Sequence, residues 1–122
     1  MTFDIWFGIP EIRDFWLKIS EKVSTGNATK DEVKLHKKLL KVFKLLSSNP
    51  RHNSLNTHEI AILSQRYGRK VWESYIENGK PAAGRIFWVY YPQGGITIIA
   101  IEHHPNNSKY SYDKITLSGT ND

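Results

Sequence analysis

The sequence contains no cysteine, and this absence excludes several kinds of chemistry. Without thiols the chain can form no disulfide, no thiolate nucleophile and no cysteine-ligated metal centre. It also lacks the motifs GxxxxGK, GxGxxG, HExxH and GxSxG, which mark phosphate loops, dinucleotide sites, zinc peptidases and serine hydrolases. The adjacent His103 and His104 would point to opposite faces of a strand, which makes them a poor pair of metal ligands. We therefore expect neither a metal nor a cofactor.

Long apolar runs are missing as well. The longest apolar stretches are under ten residues, which is too short to cross a bilayer. The opening MTFDIWFGIPE carries acids at Asp4 and Glu11 and has no basic run ahead of an apolar stretch, so we expect no signal peptide. Together these features predict a cytoplasmic protein with no membrane partner.

The chain has enough hydrophobic residues to form one core, and it carries an excess of positive charge. Its 122 residues, 39% hydrophobic and 24% charged, predict a single soluble domain over residues 1–122, with 105–122 a polar C-terminal tail. Seventeen basic and twelve acidic side chains give a net charge of +5, and residues 30–51 alone carry seven bases and two acids. This asymmetry favours a polyanionic partner such as nucleic acid. The alternative is a solvated lysine face on an amphipathic helix.

The first half of the chain shows one strand pattern and two helix patterns. The segment Phe3–Phe7 is apolar and β-prone, which predicts a strand. Apolar residues at helical spacing then predict a helix over residues 10–23. Thr29 and Glu32 form a capping-box pattern at the start of a second helix, which we expect to run from about residue 30 to Leu46. A short turn between the two helices predicts a helical hairpin.

The second half changes to strand patterns. The segments Val71–Ile76, Arg85–Tyr91 and Ile96–Glu102 are rich in β-branched and aromatic residues and are separated by turn sequences, which predicts an antiparallel meander. The segment His58–Leu63 is too short to assign. The predicted fold is therefore α+β, with a two-helix hairpin on one face of a twisted, mainly antiparallel four-stranded sheet. The other face has no helix to cover it and is expected to be available for a ligand.

Polar groups on the predicted strands and at their ends are the candidate catalytic residues: Glu73, Arg85, His103 and His104. Neighbouring strands place residues of one face close together, so we expect these groups to converge on an exposed patch of the sheet. Arginine binds phosphate through a planar fork, histidine transfers protons at neutral pH, and glutamate can act as a base. These are the groups that metal-free RNA cleavage requires.

Each candidate also has a plainer interpretation. Glu73 and Arg85 fit a cross-strand ion pair, and the two adjacent histidines fit loop residues at a strand end. The aromatic residues Trp72, Phe87 and Trp88 fit a core better than a base-stacking surface. For the remaining histidines, at positions 36, 52 and 58, the sequence identifies no partner.

Four stretches of the chain occur in an order that resembles a known superfamily. They are LLSSNPRHNSLNTHEI, VWESYI, AGRIFWVYY and ITIIAIEHH, and the likeness covers roughly residues 3–104. With the element order strand, helix, helix and three strands, they resemble the RelE/ParE superfamily of toxins from bacterial type II toxin–antitoxin modules. The resemblance implies the RelE-like order β-α-α-β-β-β.

The resemblance also implies an activity and partners. RelE-type members are ribosome-dependent endonucleases that cut mRNA in the A site, whereas ParE-type members inhibit DNA gyrase, and a cognate antitoxin neutralises both. By position, Arg85 resembles the strand arginine that contacts the scissile phosphate. His104, or its neighbour His103, resembles a C-terminal catalytic histidine, and Glu73 resembles a candidate base.

The resemblance further implies a set of RNA-contacting residues: Lys34, Lys37, Lys38, Lys41, Arg66, Arg69, Lys70, Tyr75 and Tyr110. Two departures from the family pattern concern tyrosines. Tyr75 stands where many relatives have arginine, and the role of a terminal tyrosine falls to Tyr110 or Tyr112, because Pro105 follows the histidines. The leading hypothesis is an mRNA endonuclease. The alternatives are a binding module of the same fold, either directed at gyrase or catalytically inactive, and an RNA-binding protein unrelated to toxins.

Overall fold

The computed structural model describes residues 3–8, 10–76, 84–91 and 94–102, and these residues form an α+β structure. The described chain contains three α-helices, one short 3-10 helix and a five-stranded mixed sheet. The bounds are β1 Asp4–Phe7, α1 Pro10–Ser24, α2 Lys30–Ser48, the 3-10 helix Asn53–Leu55, β2 His58–Glu59, α3 Ala61–Tyr67, β3 Trp72–Tyr75, β4 Arg85–Tyr91 and β5 Gly95–Glu102. The α+β class predicted from the sequence is confirmed.

The two long helices form the expected hairpin, and capping explains where α2 begins. The hydroxyl of Thr29 accepts the N–H of Glu32 at 3.1 Å, and the Glu32 carboxylate accepts the N–H of Thr29 at 2.9 Å. The helix continues to Ser48, beyond the predicted Leu46, because the N–H of Asn49 still donates to a carbonyl one turn earlier. Among the described residues, no helix combines the length and the apolar character needed to cross a bilayer.

The sheet has the order β1-β5-β4-β3-β2. The strands β3, β4 and β5 pair antiparallel in sequence order, as the meander prediction requires. The pairing of β4 with β5 shifts register at Phe87 and Trp88, which marks a bulge or local irregularity. The first strand β1 joins the far edge and pairs parallel with β5, with Asp4 opposite Gly95. Two segments that are far apart in the sequence therefore lie side by side.

The prediction of four strands and two helices is wrong in number. The sheet has a fifth strand, and the described residues form a third α-helix. Both elements come from residues 58–67, most of which the sequence patterns left unassigned. The strand β2 has two residues and α3 has seven, which are too few to show a clear period of 2 or 3.6. Tertiary contacts define them instead: the N–H of Ile60 donates to the carbonyl of Val71, and Leu63 is buried against the sheet.

Apolar side chains cover both faces of the sheet. On the hairpin face, α2 residues such as Leu39 and Leu46 pack with Trp88 of β4. On the opposite face, called the α3 face, Leu63 of α3 packs with Phe87 of β4. The expectation that this second face lacks a helix is therefore wrong, because α3 covers part of it. The interpretation of Phe87 and Trp88 as core residues is confirmed, since both are fully buried.

Candidate functional site

Three residues from three adjacent strands meet on the α3 face and form what we name the His-Glu-Arg cluster. The Nε2 atom of His58 lies 2.9 Å from Oε1 of Glu73, and the Nε atom of Arg85 lies 3.3 Å from Oε2 of the same carboxylate. The strand register explains the contacts. His58 stands directly opposite Glu73, while Arg85, opposite Tyr75, is a diagonal neighbour of Glu73. One carboxylate thus bridges two basic side chains.

The members of the cluster differ sharply in accessibility. The Glu73 side chain has no exposed surface and that of Arg85 is 9% exposed, whereas the His58 side chain is 44% exposed. The expectation of an exposed catalytic patch is therefore wrong for Glu73 and Arg85, although they do converge. The buried ion pair can hold His58 in place, and His58 is the member that a bound molecule can reach.

Both ring nitrogens of His58 face hydrogen-bond acceptors. Besides the contact of Nε2 with Glu73, the Nδ1 atom lies 3.0 Å from the backbone carbonyl oxygen of Asn56. A carbonyl and a carboxylate only accept, so the doubly protonated imidazolium satisfies both contacts. Asn56 adopts a left-handed conformation with φ of 49°, which this residue type tolerates. The two contacts together fix the orientation of the imidazole ring.

Tyr75 joins the cluster to a second feature, a small pocket on the α2 side. Its ring lies 5.2 Å from the Arg85 guanidinium carbon and 6.1 Å from the His58 ring. The same tyrosine lines a pocket of about 100 Å³ together with Lys38 and Lys41 of α2. We name it the Lys-Tyr pocket. Positive charge therefore lies on both sides of Tyr75.

A chain of hydrogen bonds fixes the segment that leads into β2. The indole N–H of Trp88 donates to the Ser74 hydroxyl at 2.8 Å, and the Ser74 and Thr57 hydroxyls lie 2.7 Å apart. The Thr57 hydroxyl in turn donates to the carbonyl of Pro50 at 2.7 Å. Since Thr57 immediately precedes His58, this chain ties the position of the histidine to the buried core.

The structure brings some of the predicted site residues together and leaves others apart. Glu73, Arg85 and Tyr75 form one site with His58, and the predicted cross-strand ion pair is present. Of the predicted RNA-contacting lysines, two line the Lys-Tyr pocket and the others on α2, Lys34 and Lys37, are exposed along the helix. Arg66, Arg69 and Lys70 are exposed at the end of α3 and in the turn before β3, and His103, His104 and Tyr110 lie outside the described residues.

Sequence reasoning missed His58, which belongs to a strand of two residues. Its role depends on the register with β3, and no local pattern encodes that register. Within the described part of the chain, no group of three or more histidine and carboxylate side chains is arranged to hold a metal ion.

Comparisons with protein-family models, curated proteins and solved structures gave no match for this chain. The site is therefore interpreted from its own geometry and from the sequence resemblance described above.

Proposed function

We propose that this protein is the toxin of a type II toxin–antitoxin module and that it cleaves mRNA on the ribosome without a metal. The proposal combines the resemblance to RelE/ParE toxins with one structural observation. An exposed histidine, His58, is held by a buried carboxylate beside a pocket that carries two lysines. This arrangement offers a proton donor next to a surface that attracts phosphate.

The chemistry that we propose is an internal transesterification. The 2′-oxygen of the RNA forms a bond to its own phosphate while the bond from phosphorus to the 5′-oxygen breaks. A base takes the 2′-hydroxyl proton, and the leaving 5′-oxygen gains a proton. In this scheme the His58 imidazolium supplies that proton, because it is the accessible acid of the cluster.

The buried pair has a supporting role in this scheme. The Glu73 carboxylate lies within ion-pair distance of both His58 and Arg85, which holds the imidazole ring beside an opposite charge. Because Glu73 has no exposed surface, we assign it to positioning rather than to proton abstraction from RNA. The C-terminal histidines, His103 and His104, remain predicted catalytic residues, and we assign to them the role of base in place of Glu73.

The test is cleavage of a defined message in a translation extract. We expect the His58→Gln variant to cut about 100-fold more slowly than wild type, which is the scale of a lost general acid. His52→Asn is the matched control, since His52 is exposed in the preceding loop and asparagine keeps the cap that it provides to the 3-10 helix. Equal cleavage by wild type and His58→Gln would contradict the proposed mechanism.

A toxin of this type also requires a neutralising partner. We propose that a cognate antitoxin, encoded by a neighbouring reading frame and acidic in composition, binds the basic surface of this chain. Expression of the chain alone should arrest growth, and co-expression of that neighbour should restore it. Growth that continues at full rate with folded protein present would count against the toxin proposal.

One observation favours a second candidate, a binding module of the same fold such as a ParE-type inhibitor of DNA gyrase. Arg85 is nearly buried against Glu73 and stacks near Tyr75, which suits a structural role as well as phosphate contact. In this case growth arrest would be accompanied by DNA-damage signalling and intact mRNA. A supercoiling assay with purified gyrase distinguishes the two candidates directly.

A further inference from the structure

We propose that the Lys-Tyr pocket binds the C-terminal residue of a partner polypeptide that ends in leucine or isoleucine. In this arrangement the aliphatic side chain fills the pocket, and the terminal carboxylate lies between Lys38 and Lys41. The inference goes beyond the proposed function, because it concerns a protein ligand and involves neither RNA nor the His-Glu-Arg cluster.

The size of the pocket limits what can enter it. Its volume of about 100 Å³ is below the roughly 150 Å³ of a protein cavity that holds one benzene molecule, so it suits one branched aliphatic side chain. The Tyr75 ring approaches Arg85 on the α3 face, and we assign it no contact with the ligand. The floor of the pocket is apolar and lies on the hairpin side; it is formed by Val42, Leu45, Leu55 and Ile76.

Two lysines of α2 supply positive charge at this small pocket. Lys38 is half-buried and Lys41 is exposed, and a separation of three residues places them on the same side of the helix. Because the pocket holds one side chain, the simplest ligand carries its anion on the residue that is bound. In a polypeptide, the C-terminal residue is the one that combines an aliphatic side chain with a carboxylate. The lining therefore favours a chain terminus over an internal acidic segment.

Ser54 also lines the pocket and offers a hydrogen-bond acceptor. Its backbone N–H donates to Nδ1 of His52 at 3.1 Å, so this nitrogen carries no proton. The Ser54 hydroxyl lies 2.7 Å from the same nitrogen and therefore donates to it as well, which leaves the hydroxyl oxygen as an acceptor. This oxygen suits the amide N–H of a bound C-terminal residue. A free short-chain acid has no such N–H, so the lining favours a polypeptide.

The test measures peptide binding by fluorescence anisotropy. The probe is a six-residue peptide of alternating glycine and serine that ends in leucine, with a fluorophore on its N-terminus and a free carboxylate. The Lys38→Gln/Lys41→Gln variant should bind it at least about tenfold more weakly than wild type. The matched control Lys34→Gln/Lys37→Gln removes the same charge at the same spacing from exposed positions of α2 outside the pocket, and should weaken binding less than about threefold. Circular dichroism checks that both variants are folded.

Changes in the peptide test the two halves of the ligand without altering the protein. Amidation removes the carboxylate, and replacement of the last leucine by glycine removes the side chain. Each change should lower the affinity at least about tenfold. An amidated peptide with glutamate before the leucine has the same net charge as the probe, and we expect it to bind at least about fivefold more weakly than the probe.

Several results would overturn the proposal. Equal binding of the glutamate peptide and the probe would identify an internal acidic segment as the ligand. Equal effects of the two double-lysine variants would leave only non-specific charge. If wild type does not bind the probe at concentrations up to about 5 mM, the pocket is not a peptide site. If isocaproate, which has the carbon skeleton of leucine without the amide, competes as tightly as the unlabelled peptide, the site belongs to a free acid.

The outcomes separate this inference from the proposed function, because cleavage of mRNA is measured independently in a translation extract. A protein that cuts mRNA but does not bind the probe would refute the peptide site alone. A protein that binds the probe through Lys38 and Lys41 but never cuts mRNA would support the peptide site and refute the nuclease.

Discussion

The carboxylate of Glu73 is fully buried and lies between an imidazole and a guanidinium. Taking a carboxylate out of water is costly, and nearby positive charge offsets that cost only while both partners stay in place. We therefore expect a substitution of Glu73 to lower the stability of the fold and also to change the position of the His58 ring.

The first prediction concerns the charge of Glu73. Glu73→Gln keeps the shape but leaves the nearly buried Arg85 beside an uncharged amide, so we expect a loss of about 3 kcal/mol in the free energy of unfolding. Urea denaturation measures it. Glu59→Gln, on the same short strand as His58 and exposed, is the control and should change stability by less than about 0.5 kcal/mol. A Glu73→Gln variant as stable as wild type would show that the ion pair contributes nothing.

The second prediction concerns the hydrogen bonds that connect Trp88, Ser74 and Thr57. Ser74→Ala removes the acceptor of the Trp88 indole N–H and the partner of the Thr57 hydroxyl, both at a buried position. An unsatisfied buried donor costs about 2 kcal/mol, which should appear as a lower midpoint in urea. Ser48→Ala at the exposed end of α2 is the control. If both alanine variants unfold at the same urea concentration, the hydrogen bonds of Ser74 do not stabilise the fold.

The sequence predicts part of this site and misses part of it for a physical reason. Glu73 and Arg85 lie in segments whose β-branched and aromatic residues predict neighbouring strands, so alternation and pairing indicate that they can meet. His58 occupies a strand of two residues whose neighbours show no alternation. Its partner depends on a register that is set by the distant contacts of Thr57 and Ile60, which a local pattern does not contain.

At the scale of elements, an ion pair ties the start of α2 to α1. The Nζ atom of Lys22 lies 2.8 Å from Oε2 of Glu32, whose other oxygen caps the helix at Thr29. One carboxylate therefore serves both the helix start and the helix–helix contact. The bond from Lys22, and then the backbone bond from Thr29, lower the pKa of Glu32 below its ordinary value of 4.5.

The third prediction follows from the sign of that shift. Because the folded state lowers the pKa of Glu32, its ionised form stabilises the fold at pH values above about 4.5, and this contribution is lost as the pH falls through the folded-state pKa. Wild type should be more stable than Glu32→Gln at pH 7, and the difference should vanish at low pH. Urea titrations at pH 7 and pH 3 test this, and a difference that grows in acid would contradict it.

The length of a helix explains whether the sequence pattern predicts it. The helices α1 and α2 have fifteen and nineteen residues, and their apolar stripes predict them almost to the observed ends. By contrast, α3 begins at Ala61 after an N-cap residue, Ile60, that makes no side-chain capping bond, and Ile62 is exposed while Leu63 is buried. Over seven residues these signals do not distinguish a helix from a loop.

At the scale of the whole molecule, the net charge of +5 favours binding to a polyanion, and such binding depends on the salt concentration. As a fourth prediction, the affinity for single-stranded RNA falls as salt rises, with a slope of about −0.7 in log–log form for each phosphate contacted. Contact by about four lysines of α2 gives a slope near −3. Fluorescence anisotropy over a range of KCl concentrations measures it, and a slope near zero would exclude a phosphate-contacting surface.

The parallel pairing of β1 with β5 has a consequence for the order in which the protein can assemble. Asp4 reaches its partner Gly95 only after nearly the whole described chain exists, so β1 is made long before it can be paired. Until then its apolar residues have no sheet to join and stay open to other partners, including chaperones. The edge position next to β5 therefore stays vacant in a growing chain until β5 itself has been made.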